Sequence, residues 1–189
     1  MKRAAIFLDR DGTLIHDRHY LKDPNHIRYY KGSREALKAL QDEGYVLVII
    51  TNQSGIGRGL FRVSDMRRVH RRLQSDLKRA GVRLGGIYVC PHEPDHHCLC
   101  RKPGTLLYHR AARDLKINLA RSFLVGDRLS DVEAAPRLRA QGIMVQTGHY
   151  HSQPLNTRSA RRYAVEKSLA AAARKILKGD HHAVPRHPG

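Results

Sequence analysis

The chain has no tryptophan, only three phenylalanines and three cysteines, and just 17 acidic residues against 35 lysines and arginines. Each scarcity excludes something. With few aromatics beside its basic segments, the chain is poor in the stacking platforms on which single-stranded nucleic acid is usually held, which argues against that partner. No apolar run approaches the ~18–20 residues that span a bilayer. The apolar start Ala4-Ala5-Ile6-Phe7-Leu8 is interrupted by Asp9, Arg10 and Asp11 before a signal-peptide core can form. The expectation is a cytoplasmic chain with no membrane span.

The length, 189 residues, suits one domain with a real core. A formal charge of +18 raises nucleic acid, anionic membrane or anionic substrate as partners. The excess is segmental: residues 62–83 carry eight Lys/Arg against two acids, and residues 151–189 carry eight against two. In the first segment Met66, Val69, Leu73, Leu77 and Ala80 recur at helical spacing behind Ser64, a plausible N-cap. The arginines then form the solvated face of an amphipathic helix. The tail beyond Tyr150 reads as a basic helix near 162–178 followed by a disordered His-rich end, so that 1–150 is the catalytic domain and 151–189 an appendage.

Along the chain, short apolar β-type runs at 4–8, 45–50, 86–89, 122–125 and 143–146 alternate with helical patterns near 33–43, 64–80, 104–116 and 130–140. Strands that are continuously apolar, separated by helices, predict an α/β, Rossmann-like three-layer sandwich around a parallel sheet covered on both faces. Pro136 falls inside the last helical pattern, where its ring conflicts with the carbonyl of Val132, and predicts a kink or a short helix.

In such sheets, sites form beyond the carboxyl ends of strands. Asp9 and Asp11 follow the first strand, Thr51 and Asn52 the second, and Gly126-Asp127 the fourth. Two carboxylates at i and i+2 leave a strand on one side and resist ionising together unless a cation compensates. Mg²⁺ suits a few carboxylate oxygens plus a substrate phosphate. One aspartate can then attack phosphorus while the other protonates the leaving alkoxide and later activates water. Thr51 offers a hydroxyl to a phosphoryl oxygen, Lys102 a fixed charge, and Asp127, with Asp131 four residues on, can complete the metal site.

These motifs, Asp9-Arg10-Asp11-Gly12-Thr13, Thr51-Asn52-Gln53, Arg101-Lys102-Pro103 and Gly126-Asp127 with Asp131, resemble those of the haloacid dehalogenase superfamily of phosphatases over residues 5–132. The resemblance implies that Asp9 is the nucleophile, Asp11 the general acid/base, and Thr51 and Lys102 the phosphoryl stabilisers. It implies that Asp9, the Asp11 backbone carbonyl and Asp127 hold Mg²⁺. The segments after strands one and two are too short for a cap domain, so an open, capless site is expected.

All three cysteines fall in one window, Cys90-Pro91-His92 to Cys98-Leu99-Cys100. Cys90, His92, Cys98 and Cys100 suit a structural Zn²⁺, with His96 and His97 as competitors for the fourth position. A disulfide between Cys98 and Cys100 would be strained. Because Arg101 and Lys102 follow at once, the zinc loop would hold both cations over the phosphate.

Within the superfamily, a zinc loop on a capless domain is similar to two related groups, the D-glycero-D-manno-heptose-1,7-bisphosphate 7-phosphatases and the histidinol-phosphatase domains. The run from Thr51 to Phe61, Gly86-Ile87-Tyr88 and Val145-Gln146-Thr147-Gly148 resemble the heptose enzymes. The short zinc loop and Arg128 after Asp127 resemble the histidinol group as well. The resemblance implies sugar contacts from Asp17, His19 and Tyr20; Asn52, Gln53 and Ser54 are further expected substrate contacts, and the second dianion of a bisphosphate suits Arg101 and Arg128, with Arg58 a further cation. The expected partner is a small phosphorylated sugar of a lipopolysaccharide-precursor pathway, handled by a monomer. Histidinol phosphate is the alternative, and a nucleic-acid 3′-end phosphatase or binding protein a more distant one.

Overall fold

The computed structural model describes residues 2–153 and 162–179. Six strands form one all-parallel sheet: β1 (Ala5–Leu8), β2 (Val46–Asn52), β3 (Leu84–Cys90), β4 (Phe123–Gly126), β5 (Gln141–Val145) and β6 (Ala164–Glu166), in the order β3-β2-β1-β4-β5-β6. The order reverses between β1 and β4, which places the switch point beyond Leu8 and Gly126.

The central strands are apolar throughout because both faces are covered. Ile6 and Leu8 of β1, with Leu47 and Ile49 of β2, pack under α1 (Ser33–Asp42), α3 (Val63–Arg79) and α6 (Leu169–Leu177). Ala5 and Phe7, with Val46, Val48 and Ile50, pack against α4 (Leu106–Asp114) and α5 (Leu129–Val132). Between β1 and α1 stands only a 3₁₀ turn, Pro24–His26, and between β2 and α3 only the four-residue α2 (Ser54–Gly57). The fold is capless.

The structure differs from the sequence pattern in the C-terminal segment and at the start of α3. The helix expected near 162–178 begins at Leu169, where the Ser168 hydroxyl accepts the Ala171 amide at 3.3 Å. Ahead of it, Ala164–Glu166 adds a sixth strand beside β5. Three residues are too few to show a strand period. So the core continues past residue 150, with Leu169, Ala172, Ala173 and Ile176 buried in it. Helix α3 starts at Val63 rather than behind Ser64, because the Asp65 carboxylate accepts the Arg62 amide at 2.8 Å and closes the first turn there. At 130–140 the short helix expected from Pro136 is found: α5 ends at Val132 and a 3₁₀ turn, Pro136–Leu138, follows, since proline cannot donate to a continuing helix. The His-rich tail from residue 180 lies outside the described residues. No helix among the described residues is long and apolar enough to cross a membrane.

Candidate active site

The carboxyl ends of β1, β2 and β4 meet at one cleft of about 520 Å³. It is lined by Asp9, Asp11, Asp17, His19, Tyr20, Asn52, Gln53, Ser54, Arg101, Lys102 and Arg128, and also by Arg10, Arg58, Asp131 and His149. Every substrate-contact residue expected from the sequence is at this cleft.

Asp9 is held at the end of β1 by its amide, which donates to the Val125 carbonyl at 3.0 Å. Lys102 Nζ lies 2.5 Å from Asp9 Oδ1, 2.7 Å from Asp131 Oδ1 and 2.9 Å from the Ile50 carbonyl. Burial pushes the Asp9 carboxyl well above the usual carboxylate range; Lys102 opposes this, while Asp131, Asp127 and Asp11 add to it. Burial works against the charge on Lys102, yet Asp131 and Asp9 outweigh it and hold the amine above the usual lysine range. The backbone of Lys102 is fixed by Asn52, whose Oδ1 accepts the Lys102 amide at 3.1 Å.

Asp127 is fully buried. Its carboxylate accepts the Thr13 hydroxyl at 2.9 Å and the His149 amide at 2.8 Å. Burial, with Asp131 nearby, pushes it up to about 6. Side-chain oxygens of Asp9, Asp127 and Asp131 lie within 4.8 Å of one another, a set that can hold a cation. The Asp11 side chain is not in that set. It turns to Arg10, which donates from Nε and Nη2 at 3.0 and 3.1 Å, and to Gln53 Nε2 at 3.0 Å. Gln53 Nε2 also donates to Thr51 Oγ1 at 2.8 Å, so the buried Thr51 keeps its own hydroxyl proton for another acceptor.

The four cysteine and histidine candidates also come together. Cys90 Sγ lies 3.5 Å from Cys98 Sγ and 3.6 Å from His92 Nδ1; Cys100 Sγ lies 3.5 Å from Cys98 Sγ and 3.2 Å from His92 Nδ1. His96 stacks on the His92 ring at 4.7 Å, and neither His96 nor His97 is in the donor set. The loop is tied to the cleft: Gln53 N donates to the Cys90 carbonyl at 2.7 Å, and Arg101 Nη1 to the His92 carbonyl at 3.2 Å.

At the cleft mouth, His149 Nε2 meets Asp17 Oδ2 at 2.7 Å, and Arg58 Nη1 donates to the Tyr20 hydroxyl at 2.9 Å. His19 and Tyr20 both take left-handed backbone, φ 45° and 61°, which turns this loop sharply over the opening. Sequence reasoning missed Arg10, His70 and His149. A charged residue between the two motif acids hinted at Arg10. His70 sits in the same apolar helical stripe as Met66 and Leu73. His149 gave no local signal.

The HAD-hydrolase-like family model matches residues 99–172. A D-glycero-beta-D-manno-heptose-1,7-bisphosphate 7-phosphatase of Haemophilus ducreyi is 41% identical over 156 residues, covering 78% of this chain and 86% of the relative. Its counterpart from Photorhabdus laumondii is 36% identical over 183 residues, covering 93% and 95%. Among solved structures, D,D-heptose 1.7-bisphosphate phosphatase from B. bronchiseptica, complexed with magnesium and phosphate, superposes with a TM-score of 0.83 at 33% identity, covering 93% of this chain and 99% of that one. With the fold, the motif geometry and this similarity in agreement, the chain belongs to the D-glycero-D-manno-heptose-1,7-bisphosphate 7-phosphatase family of haloacid dehalogenase-like hydrolases.

Proposed function

We propose that the protein removes the 7-phosphate of D-glycero-D-manno-heptose 1,7-bisphosphate through an aspartyl-phosphate on Asp9. The observation that carries this reading is the placement of Asp9, with Lys102 on its carboxylate, at the floor of a cleft ringed by Arg58, Arg101 and Arg128. An Asp9 oxygen attacks phosphorus as the bond to the leaving oxygen breaks, and Asp11 gives that oxygen its proton. Asp11, now a carboxylate, takes a proton from the water that attacks the phosphoryl group, releasing phosphate and restoring Asp9. Thr51 and Lys102 hold the phosphoryl oxygens as charge develops on them.

The clustered acids fit a hard dication, since three buried carboxylates this close exceed the single charge that Lys102 supplies. Asp9, Asp127 and the Asp11 backbone carbonyl would hold Mg²⁺, which neutralises the acids and draws charge from the phosphoryl oxygens when bound. Cys90, His92, Cys98 and Cys100 fit Zn²⁺. Tetrahedral Zn–S and Zn–N bonds imply ligand separations of roughly 3.6–3.8 Å, and the observed 3.2–3.6 Å needs only a slight expansion. We read this zinc as structural, and the enzyme as a cytoplasmic monomer acting on a free small molecule.

The cleft favours a second phosphate over the cationic amine of histidinol phosphate. Besides Asp9 and Asp11, the lining acids among the described residues are Asp131, paired with Lys102, and Asp17, which His149 already occupies. Phosphate release measured in parallel from α- and β-heptose 1,7-bisphosphate, histidinol phosphate and a 3′-phosphorylated oligonucleotide tests the reading. The heptose substrates should lead by a wide margin; a faster rate on histidinol phosphate or the oligonucleotide overturns the substrate assignment.

A further inference from the structure

Beside Asp11 sits a buried cation to which the four motif roles give no task. Arg10 is 1% exposed and is the largest fully buried side chain of the chain's described residues. Its Nε and Nη2 face the Asp11 carboxylate, Nη2 also donates to Gln53 Oε1 at 3.0 Å, and Nη1 lies 2.9 Å from His70 Nε2. Thus one edge of the guanidinium grips Asp11 while the opposite nitrogen is anchored on α3, on the helix's buried stripe.

A guanidinium has only donors. The contact to His70 is therefore a bond only if Nε2 carries a lone pair, which puts the ring in its neutral form with the proton on Nδ1. The surroundings agree, since burial and then the Arg10 charge push the imidazole down to about 3. A planar fork fixed at one corner cannot pivot. With Nη1 anchored, Nε and Nη2 hold the Asp11 carboxylate in one plane, and Gln53 fixes the same carboxylate from the β2 side.

We propose that His70 is a positioning residue: by accepting from Arg10 Nη1 it locks the guanidinium that aims the Asp11 carboxyl, first at the leaving oxygen and then at the attacking water. This rests on Asp11 being the general acid/base, as proposed above. The motif aspartate is thereby aimed from a helix that contributes nothing else to the cleft floor.

The test uses the full chain loaded with Mg²⁺ and compares wild type with two variants. His70→Gln keeps an acceptor near the Nε2 position; His70→Leu keeps bulk and removes it. Each is assayed on heptose 1,7-bisphosphate, whose alkoxide must be protonated to leave, and on p-nitrophenyl phosphate, whose phenolate leaves without help. His70→Leu should lower kcat on the sugar bisphosphate by about tenfold or more, with KM within about twofold. Its pre-steady-state burst of nitrophenolate should fall several-fold less, and His70→Gln should recover most of the loss. Equal losses on both substrates, an unaffected leucine variant, or a glutamine variant no better than leucine each overturn the proposal. Should His70→Leu not fold, nitrogen-15 NMR of wild type decides: a neutral ring protonated on Nδ1 at pH 7 is expected, and an imidazolium or an Nε2-protonated ring overturns it. If wild type releases no phosphate from the heptose substrates, the substrate reading fails separately, and an alkyl phosphate that it does hydrolyse takes their place in the same comparison.

Discussion

Lys102 Nζ stands 2.5 Å from Asp9 Oδ1 although 93 residues separate the two in sequence. The same amine also meets Asp131, so one buried cation answers two buried acids. Removing it leaves both acids unpaired. Lys102→Met should destabilise the metal-free protein by about 3–5 kcal/mol, read as a fall in the denaturation midpoint. Added Mg²⁺ should restore part of that stability by supplying charge at Asp9. Activity should not return, because the phosphoryl group loses its fixed donor, and kcat should drop at least about a hundredfold. Full activity in the Mg²⁺-loaded variant would show that Lys102 acts only on the fold. Asp9→Asn should abolish turnover while the protein stays folded; retained turnover would refute the covalent mechanism.

Zinc removal makes a separate prediction. Arg101 and Lys102 follow Cys100 directly, and the loop's carbonyls hold both Arg101 and the Gln53 amide. A zinc-selective chelator, with Mg²⁺ kept in excess, should therefore lower kcat and raise KM together, because catalytic and clamping groups both lose their footing. Metal analysis should find one zinc per chain in wild type and in Asp9→Asn, and substoichiometric zinc in Cys98→Ser. Unchanged kinetics after verified zinc loss would confine the loop to a stabilising role.

Gly12 has φ +85°, and a Cβ there would stand 2.6 Å from Asp127 Cγ and 2.7 Å from its Oδ1. Gly12→Ala must displace the Asp127 carboxylate or the β1 loop, besides straining the left-handed backbone by about 1–2 kcal/mol. The Mg²⁺ concentration needed for half-maximal activity should rise about tenfold or more, as expected when a ligand's support is lost. Titration calorimetry with Mg²⁺ checks it directly, and an unaltered binding isotherm would remove Asp127 from the metal site.

How much of this was legible in the sequence depended on period and distance. The central strands were visible because burial on both faces makes them continuously apolar, and their order in sequence put Asp9, Thr51 and Asp127 at one edge. The cysteine window was visible because all its donors are local. β6 was not, since Ala164-Val165-Glu166 is too short to have a period and is a strand only because β5 offers an open edge. His70 and His149 were invisible for another reason. Each acts through a partner 60 or 132 residues away, Arg10 for the first and Asp17 for the second, and single-chain patterns carry no such pairing.

The buried state of His70 gives a pH signature in stability. Its folded value of about 3 lies below the ordinary 6.5, so between these limits the unfolded chain binds a proton that the folded chain does not. Stability from this group is complete above pH 6.5 and is lost as pH falls toward 3. Between pH 7 and 4.5 the loss is about 2–3 kcal/mol. Urea denaturation of wild type and His70→Gln across that range isolates it, because the other titrating groups are shared. The variant's curve should be flatter by that amount; parallel curves would mean that His70 is protonated in the folded protein.

Kinetics can show which phosphate the arginines around the cleft hold. Arg58 reaches the mouth through Tyr20, while Arg101 is anchored on the His92 carbonyl of the cysteine loop, beside Lys102. If they clamp the phosphate that stays on the sugar, their loss should matter only for a substrate that has one. Arg58→Ala and Arg101→Ala should each raise KM for the heptose bisphosphate about tenfold or more, since a charge-assisted contact is lost from bound substrate and transition state alike. On p-nitrophenyl phosphate, with a single phosphate, the Arg58→Ala constants should stay within about twofold of wild type. An equal rise in KM on both substrates would place Arg58 on the transferred phosphoryl group, and the second phosphate would then have to be held by another cation of the cleft, such as Arg128.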